Sequence, residues 1–216
     1  FEPCKVRKIK TMPNNITNRL MIIGTDEQTK QVLEFLKGEP FENGSVRLMD
    51  FDKIIHMPES LNIESSSIGE LGEAFLYGTG RATYLLGKEE IDRRFLDLSY
   101  DQRQKYFEMG KLYHDNLQKH NARTWYDWSC KHWGTKWNAY SQKIDGENII
   151  WFDTAWSCVL DLMKLLSSRF PDVELDYRWA DEDVSYNCGF TTIKAGTDET
   201  YHPEGGSKEA YELYFE

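Results

Sequence analysis

The chain has 216 residues, a formal charge of −10, 40% hydrophobic and 14% aromatic residues, and seven tryptophans. That length predicts one or two domains with a real core, and a disordered chain would be poorer in both residue classes. No run of ~18 apolar residues free of charge is present, which argues against a transmembrane helix, and the acidic balance disfavours a general phosphate-binding surface.

The charge is unevenly placed. Residues 1–10 carry Lys5, Arg7, Lys8 and Lys10 against Glu2, whereas residues 171–216 carry twelve acids against Arg178, Lys194 and Lys208. The acidic end suits a basic protein partner or mimicry of nucleic acid, beside the plainer reading of a solvated face. The opening Phe1-Glu2-Pro3-Cys4 has no apolar signal-peptide core, so residues 1–11 read as a basic arm or a non-native remnant, with Met12 as a natural start. Cys4, Cys130, Cys158 and Cys188 form no C-x-x-C pair. Reduced thiols in a cytoplasm are the expectation.

Arg19 to Ile23 reads as a buried strand that ends at Gly24. Thr25 and Gln28 have the spacing of a capping box for a helix over 26–37, with Val32, Leu33, Phe35 and Leu36 on its apolar face and Gly38 after it. Val46, Leu48 and 51–57 read as extended up to Pro58. Residues 68–77 read as a short helix or turn weakened by Gly69 and Gly72, and Tyr84-Leu85-Leu86 as a strand. Ser99 and Gln102 cap a long helix over 100–120, and Thr124 caps another over 125–133 that Gly134 ends. Asp145-Gly146 predicts a type I′ turn between strands at 137–143 and 148–153. Ser157 is placed to cap a helix with the stripe Val159, Leu162, Met163 and Leu166. Val173, Leu175, Tyr177 and Trp179 alternate with Glu174, Asp176 and Arg178, the pattern of a half-buried strand. A further strand over 184–194 and a closing helix over 207–215 complete the chain.

With 39–135 set aside, the order is strand, helix, strand, tight turn, strand, helix, strand. That is the split βαβ, or ferredoxin-like, α+β order. The expectation is one such domain over 12–216, with a largely helical insertion at about 39–135 between first helix and second strand, and a C-terminal extension of the sheet.

Residues 125–139 hold four tryptophans in thirteen positions, Trp125, Trp128, Trp133 and Trp137, and Phe152-Asp153-Thr154-Ala155-Trp156-Ser157 is a second distinctive stretch. With residues 48–58 and the acidic-ended strand 177–183, they make the chain resemble the Api-ninety-two-like family of phage and plasmid proteins. The start differs, since Pro13-Asn14-Asn15-Ile16 stands where the family often has an Asn-Trp-Cys-like motif, and His56 and Cys158 stand where prolines are common. The resemblance implies a ferredoxin-like domain in an accessory protein of a mobile element inside a bacterial cell. It implies no particular reaction.

Candidate chemistry is sparse. His132 with Asp127 and Lys136 could form an acid–base cluster, against a histidine on an amphipathic helix. Asp153, at a strand end, reads first as fixing the helix start around Thr154–Ser157 and second as a site residue. No H-x-x-x-H or H-x-H pair occurs, and Asp181-Glu182-Asp183 reads as a turn rather than a cation site. Gly78-Thr79-Gly80-Arg81 is a weak phosphate-cradle signal, better read as a loop, and P-loop, dinucleotide and nucleophile-elbow motifs are absent. No metal or cofactor is expected. Trp137, Tyr140, Trp151 and Trp156 beside the hairpin either pack inward or stack bases as RNA-binding sheets do.

The favoured reading is a non-enzymatic accessory protein that binds a protein partner, such as a host defence component. The binding residues are expected among Trp125, Trp128, His132, Trp133, Lys136, Trp137, Asp153 and Trp156. The alternatives are a nucleic-acid module using the sheet aromatics and the 5–10 arm, and a hydrolase or nucleotide-modifying enzyme using His132, Lys136 and Asp153.

Overall fold

A computed structural model describes residues 14–215. The N-terminal arm, Cys4 and Met12 lie outside the described residues. The chain divides into a sheet unit, made of the chain up to Met49 and from Ala139 on, and a helical unit, Asp50–Asn138.

In the sheet unit, β1 (Asn15–Ile23) leads into α1 (Asp26–Leu36). The Thr25 hydroxyl accepts from the Gln28 N–H, and the Gln28 side chain accepts from the Thr25 N–H, so the predicted capping box forms. β2 (Tyr140–Asp145) and β3 (Ile149–Ala155) form a hairpin. α8 (Leu160–Arg169), β4 (Glu174–Asp181), β5 (Gly189–Lys194), β6 (Thr197–Tyr201) and α9 (Lys208–Phe215) follow. Among the described residues the strands make one six-stranded sheet in the order β2-β3-β1-β4-β5-β6, with every neighbouring pair antiparallel. The first four are the ferredoxin-like arrangement, and β5 and β6 are the C-terminal extension.

Strict alternation builds the core. Ile16, Asn18, Leu20 and Ile22 of β1 are fully buried, as are Ile150, Phe152 and Thr154 of β3 and Leu175, Tyr177 and Trp179 of β4. Val32 and Leu36 of α1 and Leu162, Met163 and Leu166 of α8 supply the apolar stripes that cover this face. Its polar centre is fully matched. Tyr177 Oη accepts from the Val159 N–H at 2.9 Å and donates to Asn18 Oδ1 at 2.5 Å. Asn18 Nδ2 donates to Thr154 Oγ1 at 2.9 Å, and Thr154 Oγ1 donates to the Ser157 carbonyl at 2.7 Å.

Several local expectations need correction here. The chain does reverse after Asp145, but Asp145 pairs with Ile149 and only Gly146 has positive φ, so a three-residue loop replaces the type I′ turn. Ser157 does not cap α8; Val159 stands at the cap without a side-chain bond, and its N–H is held by Tyr177 instead. The strand expected over 184–194 begins only at Gly189, because Asp181 gathers the preceding turn through the Asp183 N–H and Asn187 Nδ2.

The helical unit holds α2 (Phe51–Ile54), α3 (Ser67–Tyr77), α4 (Arg81–Leu86), α5 (Lys88–Leu96), α6 (Tyr100–His120) and α7 (Trp125–His132). Phe51 is helical rather than extended because Asp50 caps it: the carboxylate accepts from the Asp52 N–H and from Asn138 Nδ2. Residues 84–86 are helical rather than a strand. Gly80 and Gly87 delimit the turn, and Ala82 joins Ala74 and Ile91 in a core with Leu71, Phe75 and Leu86. α3 and α6 cross where Gly72 meets Gly110: a Cβ on Gly72 would lie 2.0 Å from the Tyr106 carbonyl oxygen.

Candidate functional site

The sheet's second face carries the residues that alternate with the core. One row of partners in register runs across all six strands: Lys143, Trp151, Arg19, Arg178, Phe190 and Tyr201. The next row holds Asp145, Ile149, Met21, Asp176, Thr192 and Glu199. Arg19 and Arg178 stand directly opposite each other, an unfavourable like-charge pair that Asp176 Oδ1 bridges at 3.0 and 3.1 Å. The Lys143 ammonium sits 4.9 Å from the Trp151 ring centroid, and the Arg19 guanidinium 6.0 Å from it. Phe190 and Tyr201 are 37% and 43% exposed, with ring centroids 5.3 Å apart. A recess of about 180 Å³ opens among Thr17, Arg19, Trp151, Arg178, Ala180 and Leu213 of α9.

Two sequence-predicted site residues belong to this unit. Asp153 does not fix the start of α8; Thr154 bonds the Ser157 carbonyl, while Asp153 points to the second face and accepts from Thr17 Oγ1 at 3.2 Å. Burial, with Asp153 and Glu182 adding to it, pushes the neighbouring Tyr140 phenol up to about 12. Trp156 is exposed, has φ of 70°, and donates its N–H to the Asn14 carbonyl.

The others belong to the helical unit. Trp128 and Trp133 are buried and meet edge to face at 5.4 Å, with Trp133 Nε1 donating to the Ile55 carbonyl at 3.0 Å. His132 stacks on Trp128 at 4.6 Å; burial, then Lys131, lowers its pKa. Trp125 meets Tyr126 edge to face, and the Lys136 ammonium lies over the rings of Tyr126 and Trp137. Trp128 and Trp133 therefore anchor a core, and Lys136 works as a cation on aromatic faces. His132 and Lys136 contact different rings, and Asp153 belongs to the other unit. Arg19, Lys143, Arg178, Phe190 and Tyr201 went unselected by sequence reasoning. The period-two alternation that placed Arg178 on a solvated face was the signal available, and only the strand order could align the five. Among the described residues, no group of three or more His, Cys, Asp or Glu side chains could hold a metal ion, and no helix is long and apolar enough to cross a membrane.

No curated protein matches the chain. A crystal structure of the protein api92 from Yersinia pseudotuberculosis is similar at 15% identity, with 89% of this chain and 99% of that chain covered and a TM-score of 0.43. Residues 136–216, the stretch from β2 to α9, match the family model described as the ferredoxin-like domain in Api92-like protein, so this part of the chain is similar to that domain.

Proposed function

We propose that the protein is a non-enzymatic accessory protein of a mobile element that acts by binding a protein partner, such as a host defence component, through the second face of its sheet. The carrying observation is the row Lys143, Trp151, Arg19, Arg178, Phe190 and Tyr201. Aromatic and arginine side chains are the groups enriched at protein interfaces and at their energetic centres. The charge pattern favours protein over nucleic acid as the occupant. Asp145, Asp176 and Glu199 run beside the cationic row and Asp153 lies on its other side. A phosphate backbone crossing these rows would meet four acids against three bases, whereas a protein surface can present both signs in register. The mobile-element setting rests on the family resemblance.

The test uses the exposed pair. Phe190→Ala/Tyr201→Ala is compared with wild type and with Tyr84→Ala/Tyr100→Ala, two exposed tyrosines of the helical unit. Proteins captured from bacterial lysate are identified, purified and titrated against all three. A partner that binds wild type and the Tyr84/Tyr100 variant equally, and the Phe190/Tyr201 variant at least tenfold more weakly, supports the reading. A partner indifferent to Phe190 and Tyr201 overturns it. So does single-stranded DNA binding at low salt that the Phe190/Tyr201 change removes.

A further inference from the structure

The helical unit contains a polar recess that the sheet-face reading does not use. It has a volume of about 260 Å³ and is lined by Ser65, Glu70, Arg81, Arg123, Tyr126 and Asp127, among others. Beside it lies a charged pair: Glu73, fully buried, receives Arg123 Nε at 2.6 Å and Thr79 Oγ1 at 3.3 Å. A buried ion pair is costly to assemble, and it fixes one arginine at the recess wall. Thr79 and Gly80 lie against this internal carboxylate, and a side chain at Gly80, with φ of 91°, would strike Glu73 Oε2. Thr79 and Gly80 thus flank an anion that belongs to the protein, and the next residue, Arg81, lines the recess. Asp127 is engaged on the other side, accepting from the Arg123 N–H at 3.0 Å.

Arg81 and Glu70 line the same recess, yet neither has an ion-pair partner among the described residues. The two are also next to different phenols. Arg81 acts on Tyr126, where it opposes the upward push of burial, and Glu70 acts on Tyr113, where it adds to it. An unpaired cation and an unpaired anion in one recess complement a molecule that carries both charges.

We propose that this recess binds a small zwitterion of the free amino-acid type, with its carboxylate toward Arg81 and Arg123 and its ammonium toward Glu70 and Asp127. Ser65 and the Tyr126 ring line the wall that the ligand body would face.

The test is calorimetric titration and thermal unfolding of the full chain against the twenty free amino acids. Matching compounds that lack one charge, the amino-acid amide and the deaminated acid, are run beside them, with inorganic phosphate. At least one free amino acid is expected to bind and raise the melting temperature by several degrees at saturation. Both single-charge analogues should bind at least tenfold more weakly. Arg81→Gln and Glu70→Gln should each weaken the amino acid at least tenfold while leaving the ligand-free melting temperature unchanged. The proposal is overturned if no free amino acid binds at 10 mM, a concentration on the order of the weak limit of ligand recognition. It is also overturned if the amide or the deaminated acid binds equally, or if phosphate alone binds. None of these outcomes bears on the sheet face.

Discussion

Tyr177 joins two strands and a helix start through one hydroxyl, which accepts from Val159 and donates to Asn18. Tyr177→Phe would leave the Val159 N–H without an acceptor and Asn18 Oδ1 without a donor, both in the buried core. The expected loss is about 2–3 kcal/mol, read as a lower urea midpoint at constant slope. The same residue gives a pH signature. Complete burial holds its phenol well above 10, so the folded state keeps the proton after the unfolded chain has lost it. The stabilisation is fully present below the unfolded pKa of about 10 and is lost as pH rises toward the folded pKa. Wild type should therefore lose stability between about pH 9.5 and 11 more steeply than Tyr177→Phe. The polar half of this network was hard to read from sequence. The first strand is expected to start at Arg19, but it starts at Asn15, and Asn18 is buried with partners in its own strand and in both neighbouring strands. Tyr177 itself was legible, because its burial follows from alternation alone.

Elements whose determinants are local were the most legible. The capping boxes at Thr25 and Ser99 formed as their spacing implied, and α6 runs over the residues its pattern marked. Residues 68–77 read as a short helix or turn because Gly69 and Gly72 weaken the pattern, and the chain is helical there. In α3, Gly72 lowers helix propensity but permits the backbone of α6 to approach at Gly110. The crossing is testable. A methyl at Gly72 would overlap the Tyr106 carbonyl, and backbone cannot rotate away as a side chain can, so Gly72→Ala is expected to cost about 3 kcal/mol, the upper end of overpacking effects. Gly78→Ala is the comparison. There nothing lies within 4 Å and only the left-handed backbone, at φ of 63°, opposes the change, for about 1 kcal/mol. Amide exchange in α3 and α6 should accelerate strongly in the first variant and little in the second. Equal acceleration would mean that the helix crossing does not depend on glycine.

At the scale of the whole chain, the sheet unit is assembled from segments separated by the Asp50–Asn138 unit, and one side chain marks where they meet. The register of β2 slips between Tyr140 and Lys143, where Ser141 has φ of 51°, and Gln142 sits within this bulge. Its Oε1 accepts from the N–H groups of Leu48 and Met49, and its Nε2 donates to the carbonyls of Met49 and Ala139 at 2.7 and 2.8 Å. The two ends of the sheet unit's chain thus touch a single amide. A linker of about six Gly/Ser residues can span that gap, since each extended residue covers about 3.5 Å. Replacing 50–138 with such a linker is expected to leave the six-stranded sheet folded, with amide exchange still protected in β1, β3 and β4. The shorter closure also removes about 2 kcal/mol of loop entropy, because that cost grows only with the logarithm of length. Gln142→Ala in the shortened chain should be more damaging than Tyr140→Phe, because it leaves two backbone N–H groups and two carbonyls without their shared partner. If the shortened chain collapses without sheet protection while the full chain retains it, the sheet does not fold from its own residues. The order strand, helix, strand, turn, strand, helix, strand would then be a pattern that the sequence displays but does not stabilise by itself.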